Sequence, residues 1–122
     1  MNGNNVVDSS GWLEYLIGTD RAGLYASAVK DLQHLVVPTI SVYEVVKQVL
    51  RGGDENDAIT AVNAMIQGQV VDLDLSLAME AARFKLPLVD SIIYATAQRF
   101  NATLWTQDDH FKGLPNVRYF SK

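Results

Sequence analysis

Short runs of consecutive apolar residues alternate along this chain with longer stretches in which apolar positions return every three to four residues. Val6-Val7 reads as a short strand ending at Asp8, and Ser9 and Ser10 then stand where a helix N-cap belongs, ahead of Trp12, Leu13, Leu16 and Ile17. Residues 21–33 predict a second helix with Tyr25, Val29 and Leu32 on one side, and Leu35-Val36-Val37 a buried strand closed by Pro38. From Ser41 the pattern is most regular. Val42, Val45, Val46, Val49 and Leu50 make one apolar helical face, which Gly52-Gly53 ends. Ala58, Ala61, Val62, Met65 and Ile66 repeat that spacing up to Gly68. Val70-Val71 is a third strand, followed by a helix over 77–85. After Pro87 comes a helix with Val89, Ile92, Ile93, Ala97 and Phe100 inward. Thr103-Leu104-Trp105 and residues 117–120 complete the strands.

Strands this short and apolar, separated by helices, indicate an α/β fold with a mainly parallel sheet covered on both faces. The 122 residues suit a single domain spanning 1–122, with no internal repeat or linker. In open sheets of this kind, ligands bind beyond the carboxyl ends of the strands.

That rule gives four acids a meaning. Asp8 follows the first strand and Asp108 lies shortly after the fourth. Glu44 comes three residues after Ser41, and Asp90 three after Pro87, in first turns of helices that start at the same end of the sheet. Four carboxylates meeting there would repel one another and raise each other's pKa, a cost that a divalent cation removes. Mg²⁺ and Mn²⁺ are hard ions that prefer oxygen ligands, and such a site can orient a phosphodiester and activate water. Each acid also has a purely structural reading. Ser41 to Glu44 and Thr106 to Asp109 match capping boxes, Asp90 suits a helix dipole, and Asp8 suits a turn.

Bulk composition changes this picture little. Cysteine is absent, which removes disulfides and thiolate metal sites. The N-terminus lacks the features of a signal peptide, and no apolar run approaches the roughly 18 residues of a membrane span, so a soluble, cytoplasmic protein is expected. The net charge of −4 argues against strong non-specific attraction to nucleic acid. With the four acids set aside as cation ligands, acids and bases become equal in number.

Four segments carry a family resemblance: Val6-Val7-Asp8-Ser9-Ser10, Ser41-Val42-Tyr43-Glu44-Val45-Val46, Leu86-Pro87-Leu88-Val89-Asp90-Ser91-Ile92-Ile93-Tyr94-Ala95-Thr96-Ala97, and Leu104-Trp105-Thr106-Gln107-Asp108-Asp109-His110-Phe111. In this order, and over essentially the whole chain, they resemble the PIN-domain nucleases, most closely the compact VapC-type toxins of prokaryotic toxin–antitoxin pairs. The third segment is the most specific. The resemblance implies an α/β/α sandwich with a five-stranded, mainly parallel sheet. It implies Asp8, Glu44, Asp90 and Asp108 as an acidic quartet around one or two Mg²⁺ or Mn²⁺ ions, with supporting roles for Ser10, Thr106 and Asp109. It also implies endonucleolytic cleavage of RNA by an attacking water, a homodimer, and a small antitoxin that covers the site. Many relatives carry an acid two positions beyond the fourth ligand, where this chain has His110. Phe84-Lys85 replaces a usual glycine and Ser91 a usual alanine.

Lys47 and Arg51 share a helix face with Glu44 and are candidates to contact RNA phosphates, against the commoner reading of a solvated polar face. Trp12, Tyr15 and Leu16 suit an antitoxin or dimer surface, although Trp12 and Leu16 fit a core equally well. His110 reads as a surface residue and His34 carries no signal. Beside the toxin ribonuclease stand two alternatives, a housekeeping RNA-processing PIN nuclease and a non-catalytic PIN-like binding module. A receiver-type phosphorylation domain is set aside, because Asp8 has no acidic neighbour and no lysine is suitably placed.

Overall fold

A computed structural model describes residues 3–122. In chain order the elements are β1 (Asn5–Val7), α1 (Ser9–Ile17), α2 (Ala22–Lys30), β2 (Leu35–Pro38), α3 (Thr39–Gly52), α4 (Glu55–Met65), β3 (Gln69–Val71), α5 (Leu75–Ala81), α6 (Leu88–Arg99) and β4 (Thr103–Thr106). A single 3₁₀ turn (Asp109–Phe111) then leads to β5 (Val117–Tyr119). The strands form one sheet in the order β3-β2-β1-β4-β5, and every neighbouring pair is parallel. The mainly parallel sheet expected from the pattern is therefore wholly parallel.

The two-residue period of the strands divides the core. Val7, Leu35, Val37 and Trp105 point to one face and pack with Trp12, Tyr25, Val45 and Met65 from α1 to α4. Val6, Val36 and Leu104 point to the other and meet Ile93, Tyr94 and Ala97 of α6. Leu77 and Ala81 of α5 pack on Ile92 and Ala95 at the outer side of α6. The result is an α/β/α sandwich. Trp12 is fully buried, so it belongs to the core rather than to a partner surface. Contact between α1 and α2 depends on Gly11, where a Cβ would come within 2.5 Å of Tyr25 Cε1 and 2.9 Å of Val7 Cγ1. Among the described residues, no helix is long and apolar enough to cross a membrane.

Several boundaries differ from the pattern-based expectation, each for a local reason. Asp8, not a serine, is the N-cap of α1, and its carboxylate accepts the Ser9 N–H at 2.8 Å. α2 ends at Lys30, because the chain turns through Asp31 to His34 with a His34 N–H to Asp31 C=O bond, and Leu32 lies outside the helix and exposed. α3 starts at Thr39, two residues before Ser41, because the extended Pro38 (φ −64°, ψ 137°) delivers the chain straight into helix. Ser41 is then an interior residue with a buried hydroxyl that makes no hydrogen bond among the described residues. The capping box with Glu44 is not formed, and Glu44 stands in the second turn. α5 is shorter than expected, running from its Asp74 cap to Ala81 rather than to residue 85. The capping box at Thr106 to Asp109 is also absent, since Asp108 itself caps the 3₁₀ turn by accepting the His110 N–H at 3.0 Å.

Candidate metal centre

β1 and β4 are neighbours at the centre of the sheet, with connections leaving toward opposite edges, so their carboxyl ends form the crevice where α/β folds place ligands. Asp8 continues β1 there, its N–H donating to the Trp105 carbonyl at 3.0 Å. Its side chain is buried. Oδ1 accepts the Ser9 N–H, and Oδ2 accepts the Thr106 hydroxyl at 2.8 Å and the Ser10 hydroxyl at 3.3 Å. Thr106 closes β4, and its Oγ1 accepts the Asp108 N–H at 2.9 Å. One hydroxyl thus holds two of the acids in register.

Glu44 reaches the crevice from α3, where the Ser9 hydroxyl donates to its Oε1 at 2.6 Å. Asp90 comes from the first turn of α6. Asp8, Glu44, Asp90 and Asp108 line a single cavity of about 490 Å³, together with Lys47 and Arg51. His110 completes the cluster. Its Nδ1 lies 2.9 Å from Asp90 Oδ2 and 3.2 Å from Asp108 Oδ1, and one ligand atom from each of these three residues falls within 4.8 Å of the others.

The charges are poorly compensated. Among the described residues, the four carboxylates form no ion pair with lysine or arginine; their one cationic partner is His110. Burial pushes the Asp8 carboxyl up to about 6, opposed by the bonds from Thr106 and Ser9 and assisted by the charges of Asp90 and Asp108. Asp90 is raised by burial and then by the charge of Asp108, with His110 opposing. His110 is raised in turn by its hydrogen bond to Asp90 and by the charge of Asp108. Crowded oxygen donors that resist ionising together are what a hard divalent cation relieves, so the residues fit such an ion. Such a site is suited to phosphoryl chemistry.

The structure brings Asp8, Glu44, Asp90 and Asp108 together, with Ser10 and Thr106 on Asp8. Lys47 and Arg51 stand at the cavity wall, and Lys47 Nζ lies 3.3 Å from the Tyr43 hydroxyl. Asp109 is exposed and lines a neighbouring cavity that shares Ser10 and Asp108 with the first. His110, read from the sequence as a surface residue, has its ring against two of the acids. Its position two residues after Asp108 was the available signal. Ser9 was read as a helix cap and instead orients Glu44. A polar network behind the site had no sequence signal at all. The Gln107 amide accepts from Arg21 Nε at 2.7 Å and donates to Glu14 Oε2 at 2.7 Å.

The family model of the PIN domain matches residues 6–117. No curated protein matches the chain. Among solved structures, a toxin–antitoxin complex from Klebsiella pneumoniae superposes with a TM-score of 0.82 at 21% identity, covering 98% of this chain and 100% of that one. VapC20 of Mycobacterium tuberculosis, described as a toxin that cleaves the sarcin-ricin loop, gives 0.74 at 18% identity over 92% and 95%. VapBC2 of Rickettsia felis, bound to a DNA fragment from its promoter, gives 0.71 at 14% over 96% and 97%. At these identities the likeness is one of fold.

Proposed function

This chain belongs to the PIN-domain family, and on that premise we propose that it is a divalent-cation-dependent endoribonuclease, the toxin of a toxin–antitoxin pair acting in the cytoplasm. What carries the reading is the convergence of Asp8, Glu44, Asp90 and Asp108, from four separate segments, on one cavity with two cations at its wall. The fold likeness to toxin–antitoxin proteins supports it.

Asp8, Asp90 and Asp108 hold the ion or ions, Mg²⁺ or Mn²⁺, with Glu44 joining directly or through water. When bound, the ion lowers the pKa of a water and polarises a phosphoryl oxygen. The chain supplies the geometry. Thr106 keeps Asp8 and Asp108 at a fixed separation, and the Ser9 hydroxyl leaves the second oxygen of Glu44 for the cavity. Lys47 and Arg51 attract the RNA backbone, which the net charge of −4 would otherwise repel. His110, whose Nδ1 lies against Asp90 Oδ2 and Asp108 Oδ1, would either give up those oxygens to a bound ion or join them in holding it. A homodimer and a small antitoxin that covers the cavity belong to the same reading.

Purified protein with Mn²⁺ should cut RNA endonucleolytically, and Asp8→Ala and Asp90→Ala should reduce the rate by orders of magnitude. Equal behaviour of all three preparations would sink the proposal. Co-expression with a short neighbouring gene that abolishes the activity would mark the toxin rather than a housekeeping processing enzyme.

A further inference from the structure

Beside the carboxylates, the same cavity carries an aromatic side chain that no metal or structural role uses. Tyr43 is 54% exposed at the cavity wall, one position before Glu44 on α3. Its packing is slight. Within the protein its hydroxyl accepts from Lys47 Nζ, which lies 5.6 Å from the ring centroid. What sets Tyr43 apart from other exposed large side chains is its place on the wall of the acidic cavity, where its ring is open to a flat ligand.

The neighbouring residues say what kind. Lys47 and Arg51 follow Tyr43 at intervals of four, along one ridge of α3, and all three line the cavity. Four residues of helix rise about 6 Å, close to the spacing of adjacent phosphates in a stretched strand. Neither cation forms an ion pair among the described residues, so both remain available to an anionic chain. An aromatic ring followed by two spaced cations is the arrangement that binds a flat base and then its backbone. Asp8 is recessed at 4% exposed, while the Asp90 and Asp108 side chains are 14% and 30% exposed. A base that lies on the Tyr43 ring must present a free face, which a duplex, whose base faces are already stacked, does not offer.

We propose that Tyr43 is a base-stacking platform: an unpaired base next to the scissile phosphodiester lies on its ring, and Lys47 and Arg51 hold successive phosphates along α3. The proposal rests on the ribonuclease reading and adds to it the residues that would hold the strand beside the acids.

The test uses the full chain with Ca²⁺ in place of Mn²⁺ to hold off cleavage. The probe is a short single-stranded RNA carrying fluorescent 2-aminopurine at each position in turn. Wild type and Tyr43→Phe should bind alike and quench the probe at one position. Tyr43→Ala should bind about tenfold more weakly, the equivalent of about 1.4 kcal/mol, and lose that quenching. The same RNA in a duplex should not compete. Unchanged binding and quenching by Tyr43→Ala overturns the proposal, as does equal affinity for the duplex or no binding by wild type. If the alanine variant keeps RNA binding and loses a protein partner instead, the patch is a protein interface and the proposal is likewise overturned. Cleavage in Mn²⁺ separates the two readings. Tyr43-dependent binding without cleavage sinks only the nuclease, and cleavage indifferent to Tyr43 sinks only the platform.

Discussion

The Thr106 hydroxyl donates to Asp8 Oδ2 at 2.8 Å, joining the ends of two adjacent strands that lie 98 residues apart in the chain. Its oxygen also accepts the Asp108 N–H, so a single buried group sets the spacing of two acids. Thr106→Val keeps the shape and removes both bonds. We expect a stability loss of about 1–3 kcal/mol in urea unfolding, because buried partners are left unpaired. The Asp8 carboxyl should rise further, since the Thr106 bond is the largest effect lowering it. Mn²⁺ affinity should fall about tenfold, as is usual when an outer partner of a ligand is lost. Thr106→Ser should restore both properties. A valine variant with wild-type calorimetric Mn²⁺ affinity would mean that the bridge has no part in the site.

Stability of the metal-free protein should decline as pH rises. Asp8, pushed up to about 6 chiefly by burial, keeps its proton in the folded state where the unfolded chain, near 3.8, has lost it. The folded state therefore binds more protons between those values, and stability falls with pH through that window and stays lowered above it. Asp90, also raised by burial first, acts in the same sense. His110, raised mainly by its bond to Asp90, contributes stability that is present below 6.5 and lost as pH passes its higher folded value. Glu14 and Asp74 are lowered, but their contributions are already complete above about pH 5. In EDTA, the melting temperature should drop by about 5 °C from pH 5 to pH 8, a change of about 1 kcal/mol. Saturating Mn²⁺ should abolish the slope. A flat profile in EDTA would contradict the repulsive cluster.

Much of this arrangement is legible in the sequence because its causes are periodic. Val7, Leu35, Val37 and Trp105 alternate with Val6, Val36 and Leu104, and this alternation is what places helices on both faces. Asp8, Asp90 and Asp108 could be located because they follow strand ends or open a helix, whereas the expected first-turn place of Glu44 is shifted one turn inward. What escaped was decided by neighbours distant in sequence. Ser41 carries a strong capping signal, yet Pro38 sets the start of α3 and leaves that serine inside the helix. His110 is half exposed, as its polar context suggests, and only the 3₁₀ turn capped by Asp108 brings its ring to Asp90. Gln107 carries no signal in the sequence, because its partners lie 86 and 93 positions away.

That glutamine supplies a sharp test of how the site is supported from behind. Its side chain is buried, with Oε1 accepting from Arg21 Nε and the Tyr25 hydroxyl, and Nε2 donating to Glu14. Arg21 also donates to the Phe120 and Ser121 carbonyls, so the network ties α1, α2 and the chain after β5 to the segment between Thr106 and Asp108. Gln107→Leu removes all three bonds and should cost about 1–3 kcal/mol, by a similar amount at pH 5 and pH 7, since no new charge appears. Gln107→Glu keeps the acceptor for Arg21 but sets a second carboxylate 2.7 Å from Glu14, where the amide now donates. The two acids cannot both ionise there at low cost, and one takes up a proton as pH falls. Relative to wild type at the same pH, the urea midpoint of Gln107→Glu should be depressed clearly at pH 7 and recover at pH 5. An equal deficit at both values would show that the loss comes from displaced packing rather than from the bond between Gln107 and Glu14.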